Sequence, residues 1–291
     1  MKPLSLGSLL ASFFAAGAPA LLMAQPAPFG APATVISSHL LVAPTRVVLE
    51  GRVRSMELTL INTGDDPGTY RISLAHMKMA ETGEVTPAEP PAPGDLVADA
   101  LVRFSPRQVT IAPHESQTVR IQVRKPADLA PGEYRSHLLF RVVPPSTPAV
   151  ASPAPGAASA SEFSIQLKPL VGVSLPLIVR HGDLAAIVTL TGAKLAPPTA
   201  AEPAGVEFRI ERRGNRSVYG DLRMTYLPVS GRAVVVGVVN GLAVYTPNPD
   251  RLVRMALRAP PEVVIGHGRI AIAYAEAGDG KPLASATLDL P

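Results

Sequence analysis

The chain has 291 residues, of which 47% are hydrophobic and 17% are charged, so it is neither a charge-rich disordered protein nor a coiled coil. Its length suits about two domains. The net charge of +4 comes without a cluster of lysines and arginines, which argues against a dedicated nucleic-acid-binding protein. The 32 prolines and 23 glycines favour short strands joined by turns, so we predict an all-β fold.

Residues 1–24 have the pattern of a secretory signal peptide. One cation, Lys2, precedes an apolar stretch that ends at the small residue Ala24. A retained transmembrane anchor is the alternative, but Gly17 and Pro19 interrupt the stretch, and no other segment approaches the roughly 18 apolar residues of a span. We therefore expect an exported protein with no membrane insertion after cleavage. The sequence has no cysteine, so its stability must come from hydrophobic cores.

Strand patterns fill residues 25–180, the predicted N-terminal domain. Apolar residues alternate with polar ones, and Gly- or Pro-containing turns recur about every ten residues, which is typical of a β-sandwich. The stretches with this pattern are residues 56–61, 70–74, 119–123 and 134–143. Residues 144–162 are rich in Pro, Ala and Ser and are predicted to form a long flexible loop.

Residues 163–179 carry the most informative pattern in the chain. Every second residue from Phe163 to Val179 is apolar, and 17 extended residues would span roughly 55 Å, about three times an ordinary strand. One interpretation is a single long strand whose apolar row is only partly used by its own domain, which leaves an edge for a guest chain. The other is two consecutive core strands interrupted at Pro169 or Gly172.

Residues 181–291 predict a second β-sandwich, with a hinge near Arg180. Sequence motifs for catalysis are absent: there is no HExxH, GxSxG or phosphate-binding loop, and the six histidines lack the spacing of a metal site. The stretch from Gly278 to Lys281 is better explained as a β-turn than as a phosphate loop, because Pro282 follows where a hydroxyl residue is required. We expect no enzyme activity and no cofactor.

Several motifs in order resemble the PapD-like periplasmic pilus-assembly chaperones. They lie at residues 44–51 (PTRVVLEG), 60–64 (LINTG), 104–106 (FSP), 111–113 (IAP), 118–121 (TVRI) and 140–145 (FRVVPP). The resemblance implies two immunoglobulin-like β-sandwiches in a boomerang arrangement. It also implies that the last strand of the first domain donates alternating hydrophobic side chains to an incomplete pilin-like subunit. The side chains that the resemblance assigns to subunit binding are Ile165, Leu167, Val171 and Val173.

The same resemblance assigns charged residues to the region between the domains. Arg46 matches an arginine that grips the terminal carboxylate of the subunit, although Pro176 stands where the family has a second cation, a lysine. Arg46 could instead be an ordinary surface strand residue. Glu133, Arg180 and Asp279 correspond to an acid, base and acid network that sets the angle between the domains, with three unrelated surface charges as the alternative.

These residues together predict a soluble periplasmic chaperone. It would bind and cap subunits of a pilus or surface appendage by donor-strand complementation and deliver them to an outer-membrane usher. Pilin-like subunits are the expected partners, nucleic acid is not, and self-association through the donor edge is an open possibility. The alternative from another class is a structural or adhesive β-sandwich protein of the cell surface, and a hydrolase is a distant third.

Overall fold

The computed structural model describes residues 35–37, 39–144, 172–200 and 202–291. Within these ranges the regular structure is almost entirely β-strand, and the one 3-10 helix spans only Asp99–Leu101. None of the described segments forms a helix long and apolar enough to cross a membrane. The prediction of an all-β fold is confirmed.

Two five-stranded sheets form the N-terminal sandwich. Its strands are β1 (Val35–Ser37), β2 (Leu40–Ala43), β3 (Val47–Leu49), β4 (Ser55–Asn62), β5 (Gly68–Ala75), β6 (Met77–Met79), β7 (Val85–Pro87), β8 (Val102–Ser105), β9 (Gln108–Ile111), β10 (Ser116–Val123), β11 (Gly132–Val142) and β12 (Gly172–His181). The first sheet has the order β1-β2-β4-β10-β8, and the second has the order β3-β12-β11-β5-β9. Strands β6 and β7 form a separate antiparallel pair.

The core of this sandwich follows from the alternation in the sequence. Successive side chains of a strand point to opposite faces, so apolar residues at every second position cover one face of a sheet. Leu58 of β4 lies opposite Val119 of β10, and both are fully buried. Phe140 from the second sheet belongs to the same core.

The chain changes sheets between β2 and β3. Strand β2 runs antiparallel to β4 in the first sheet, whereas β3 runs parallel to β12 in the second. Because β3 is only three residues long, it pairs with only Leu177, Ile178 and Val179 of β12. This short ladder decides how much of β12 remains an edge.

A second sandwich uses the rest of the described chain. Its strands are β13 (Ala186–Ala196), β14 (Gly205–Gly214), β15 (Val218–Pro228), β16 (Val234–Val244), β17 (Asp250–Ala256), β18 (Gly268–Glu276) and β19 (Pro282–Leu290). They form sheets of the orders β13-β14-β17 and β16-β15-β18-β19. Phe208, Leu222 and Tyr274 are among the buried residues of its separate hydrophobic core.

A third, smaller hydrophobic cluster joins the two sandwiches. Ile178 of β12 and Met79 of β6 pack there with Ala243 and Tyr245 of the second sandwich. The chain itself crosses from one sandwich to the other between His181 and Ala186. The division into domains at residues 180 and 181 and the boomerang arrangement remain predictions.

Candidate functional site

Strand β12 has one fully paired side and one partly paired side. Strand β11 pairs with all of it, from Gly172 opposite Arg141 to His181 opposite Gly132. On the other side β3 pairs only with residues 177–179, so residues 172–176 have no ladder partner there among the residues that the structure describes. Strand β1 passes close to β12, but its own ladder is with β2. Residues 172–176 therefore form an edge without a ladder on this side in the described chain, defined here as the β12 edge.

The inward face of β12 belongs to the chain's own core. Val173, Leu175, Leu177 and Val179 are each at most 2% exposed and pack in the N-terminal core. This corrects the expectation for Val173, whose side chain is enclosed by its own sandwich and is not available to a guest. The physical reason is that the pairing of β12 with β11 places every second apolar side chain of β12, from Val173 to Val179, in the N-terminal core. Ile165, Leu167 and Val171 lie outside the described residues.

The outward face of β12 packs against the second sandwich through Ile178. Ile178 is fully buried in the cluster between the sandwiches. Ser174 on the same face has a buried hydroxyl without a hydrogen-bond partner in the described part of the chain. Pro176 is compatible with this position because an edge strand needs fewer backbone donors than a central one.

Arg180, at the end of β12, is held by two carboxylates. Its Nε donates to Glu133 Oε2 at 2.9 Å, and its Nη1 donates to Glu50 Oε2 at 2.8 Å. Glu133, whose side chain is fully buried, also accepts from the backbone N–H of Ser217 at 3.1 Å and from the Ser217 hydroxyl. Burial opposes the charge of Arg180, but the hydrogen bonds to Glu50 and Glu133 outweigh it and raise the pKa of its guanidinium. The predicted acid and base pair of Glu133 and Arg180 is thus brought together.

Asp279 is not part of this network. It lies exposed in the turn before β19, where its carboxylate accepts from the backbone N–H of Lys281 at 2.9 Å. Glu50 contacts Arg180 instead, and the hydrogen bond from Arg180 lowers the pKa of the Glu50 carboxyl. Glu50 lies in the motif at residues 44–51 that carries part of the family resemblance, so the sequence held a signal for this residue.

Arg46 lies against two tyrosines of the second sandwich. Its guanidinium carbon is 4.7 Å from the ring centre of Tyr219 and 5.3 Å from that of Tyr245, within the range of cation–π attraction. Its Nη1 donates to the Tyr245 hydroxyl at 3.2 Å. Its Nη2 is buried and lacks a hydrogen-bond partner within the described ranges. Arg46 is therefore more than a surface strand residue, and part of its donor capacity is unused.

Arg135 and His137 on β11 face the same tyrosine. The guanidinium carbon of Arg135 is 4.6 Å from the ring centre of Tyr245, and the imidazole of His137 meets that ring edge-on at 6.3 Å between centres. Burial, together with the charge of Arg135, lowers the pKa of His137 to about 3, so the ring is neutral near pH 7. Neither residue could be identified from the sequence, because the strand pattern of residues 134–143 does not show what covers its polar side.

No family model matches the chain, and no curated protein matches it. Solved structures of fimbrial chaperones resemble it. The YadV chaperone is 14% identical, with a TM-score of 0.43 over 87% of this chain and 100% of the other. The E. coli chaperone DraB is also 14% identical, with a TM-score of 0.42 over 87% and 96%.

A structure of the Salmonella enterica SafA pilin in complex with the SafB chaperone gives a similar result. The match is 15% identical, with a TM-score of 0.40 over 89% of this chain and 99% of the other. At such low identities and TM-scores these likenesses carry no argument about function.

Proposed function

We propose that this protein is a periplasmic chaperone that caps pilin-like subunits of a pilus or surface appendage by donor-strand complementation. The observation that carries the proposal is the β12 edge: residues 172–176 pair with β11 on one side and have no ladder partner on the other in the described chain. This edge directly follows residues 163–171, which continue the same apolar alternation. A guest that lacks one strand could pair with such an edge.

The chemistry of capture follows from the two properties of a donated strand. Backbone N–H and C=O groups supply hydrogen bonds that do not depend on the guest's sequence. Alternating apolar side chains fill a groove that would otherwise be exposed to water. Since Val173 already belongs to the chain's own core, the side chains assigned to the guest are Ile165, Leu167 and Val171. Neither binding nor later exchange of strands requires a nucleotide or a metal.

Arg46 is the proposed anchor for the terminal carboxylate of the guest. Its buried Nη2 has no acceptor in the described structure, and a carboxylate would provide one with charge assistance. An anchor beside the edge would also fix the register of the paired strands, because a slip of one residue turns every side chain to the opposite face. The tyrosines packed on Arg46 hold its guanidinium in place.

The pair of Glu133 and Arg180 is proposed to fix the second sandwich relative to the β12 edge. Glu133 belongs to β11, and its carboxylate receives two hydrogen bonds from Ser217 of the second sandwich. Arg180 reaches the backbone carbonyl of Ser217 as well, at 3.4 Å. A guest bound along β12 would then meet both sandwiches in one defined geometry. The N-terminal signal pattern supports the periplasm as the compartment, and an outer-membrane usher is the proposed recipient.

Co-expression with an aggregation-prone subunit encoded beside this protein tests the proposal. We expect the wild-type chain to raise the subunit's yield in soluble periplasmic extract and to copurify with it. Val171→Asp and Ile165→Asp should abolish capture and leave the thermal midpoint of the free protein nearly unchanged. Leu170→Asp is the matched control, because it places the same charge in the opposite phase of the alternation.

Two outcomes would overturn the proposal. An unchanged soluble yield with the wild-type chain would favour the structural or adhesive surface protein. A large loss of thermal stability in Val171→Asp would place that residue in the protein's own core, as Val173 already is.

A further inference from the structure

A cavity of about 540 Å³ lies between the two sandwiches, separate from the β12 edge. The first sandwich contributes His76, Asp95 and Arg135 to its wall, and the second contributes Arg212, Asn215 and Thr246. Arg46 contacts the neighbouring Tyr245 but does not line this cavity. The volume is in the range of small-molecule sites in proteins.

Two buried guanidinium groups line this cavity without a carboxylate partner in the described chain. Arg212 is 5% exposed, and its nitrogens donate only to the backbone carbonyls of Asn248, Gly214 and Arg216, at 2.7 to 3.1 Å. Arg135 is 6% exposed and donates through Nη2 to the Thr246 carbonyl at 3.3 Å. Burial lowers the pKa of both groups. A buried cation without a counter-charge is unfavourable, so this wall is suited to an anion.

The carboxylates near the cavity are already engaged. Asp95 Oδ2 bonds to His76 Nε2 at 3.0 Å and accepts from the Ala92 N–H at 3.0 Å. Glu133 accepts from Arg180 and Ser217. The charge of Glu133 acts on both guanidinium groups and that of Asp95 on Arg135, but neither carboxylate forms a hydrogen bond to either arginine in the described chain.

Unused donors point to the kind of ligand. Nε and Nη1 of Arg135 are shielded from bulk water and have no hydrogen-bond partner in the described ranges. Buried donors are nearly always paired in folded proteins. A planar anion with two acceptor oxygens fits a guanidinium best.

We propose that this cavity binds an organic carboxylate, with Arg135 as the principal donor and Arg212 in the same wall. The carboxylate could belong to a free organic acid or to the acidic side chain of a bound peptide. This inference does not depend on donor-strand complementation, since it concerns a different set of residues.

Isothermal titration calorimetry of the full chain tests the site with two probes at matched ionic strength. One probe is succinate and the other is a peptide of Gly-Asp-Gly with both ends blocked, which distinguishes the two sources. We expect saturable binding of at least one probe with a dissociation constant of about 1 mM, equivalent to roughly −4 kcal/mol. Arg135→Met should weaken it about tenfold or more, because the charge-assisted hydrogen bonds are lost.

The control variant is Arg120→Met, which removes an arginine whose side chain is 63% exposed and outside the cavity. It should bind as the wild type does. Arg135→Lys keeps the charge and should recover part of the affinity, and circular dichroism would establish that each variant is folded. The site is disproved if neither probe gives saturable binding up to about 20 mM, or if Arg135→Met binds both probes as the wild type does.

Discussion

The boundary between the sandwiches holds two arginine centres of opposite character. Arg180 is enclosed by Glu50, Glu133 and the Ser217 carbonyl, and each of its three nitrogens has a partner. Arg135 packs on Tyr245 and has one backbone acceptor, with two nitrogens unpaired in the described part of the chain. Both belong to the ladder of β11 and β12, where Arg180 pairs with Glu133 and Arg135 pairs with Ile178.

The difference in hydrogen bonding suits the two arginines to different roles, one in stabilising the structure and one in binding a ligand. A buried ion pair that is fully hydrogen-bonded gains little from any further ligand, and it loses much when one partner is removed. A buried cation with unused donors behaves in the opposite way. Its replacement costs the protein little stability, and an anion that binds to it gains hydrogen bonds from the unused donors. The first centre is thus suited to fix geometry, and the second to receive a ligand.

Replacing Arg180 or Arg135 by methionine tests the difference between the two centres. The free energy of unfolding should fall much more in Arg180→Met than in Arg135→Met. Arg180→Met leaves the fully buried carboxylate of Glu133 without its cation. We expect a loss of about 3–5 kcal/mol in the free energy of unfolding, measured by urea denaturation. Arg120→Met removes a pair with Glu57 at 3.8 Å on the surface and should change stability by less than about 0.5 kcal/mol. If Arg180→Met and Arg120→Met lost the same free energy of unfolding, Arg180 would have no structural role.

His137 should make stability depend on pH. Its folded-state pKa of about 3 lies below its value of about 6.5 in an unfolded chain, so the unfolded state binds the proton more readily between these values. Stability should therefore fall as the pH decreases from 6.5 toward 3, by at most about 1.4 kcal/mol per pH unit. Urea denaturation across this range checks the slope, and His137→Gln should flatten it. A wild-type slope that survives in the variant would assign the effect to other groups.

Arg135→Met should have a much smaller effect than the same change at Arg180. It removes a buried charge that has no carboxylate partner in the described structure, and the cation–π contact with Tyr245 that is lost is modest. We expect the free energy of unfolding to stay within about 1 kcal/mol of the wild type. A loss as large as that of Arg180→Met would show that Arg135 is a structural charge.

Glu50→Gln should have the smallest effect. The Arg180 hydrogen bond lowers the pKa of Glu50, so its contribution is present above the ordinary carboxyl range and disappears as the pH falls through the folded-state pKa. The Glu50 side chain is 56% exposed, so solvent screening limits the loss at neutral pH to less than about 1 kcal/mol. Wild type and variant should converge once the pH lies below the lowered folded-state pKa of Glu50. A difference that persists in acid would contradict an ionic origin.

Some parts of the site could be predicted from the sequence and others could not. Glu133 and Arg180 were predicted as a pair from motif positions, and they meet at 2.9 Å. Asp279 was assigned by the same means but lies in an exposed turn, because a match of residue type does not fix the path of a loop. The resemblance assigns Val173 to a guest, and the apolar row has no internal mark that separates core positions from exposed ones.

The sequence by itself determined the all-β class, the alternating strands and the apolar row that ends at Val179, because side chains of a strand alternate with a period of two. Only the tertiary structure decided which positions of that row are enclosed, since this depends on the short ladder between β3 and β12. It also decided that Arg46 and Arg135 share Tyr245 across about 200 and 110 residues of sequence. Contacts between residues so distant in sequence arise from the packing of sheets, and local patterns carry no record of them.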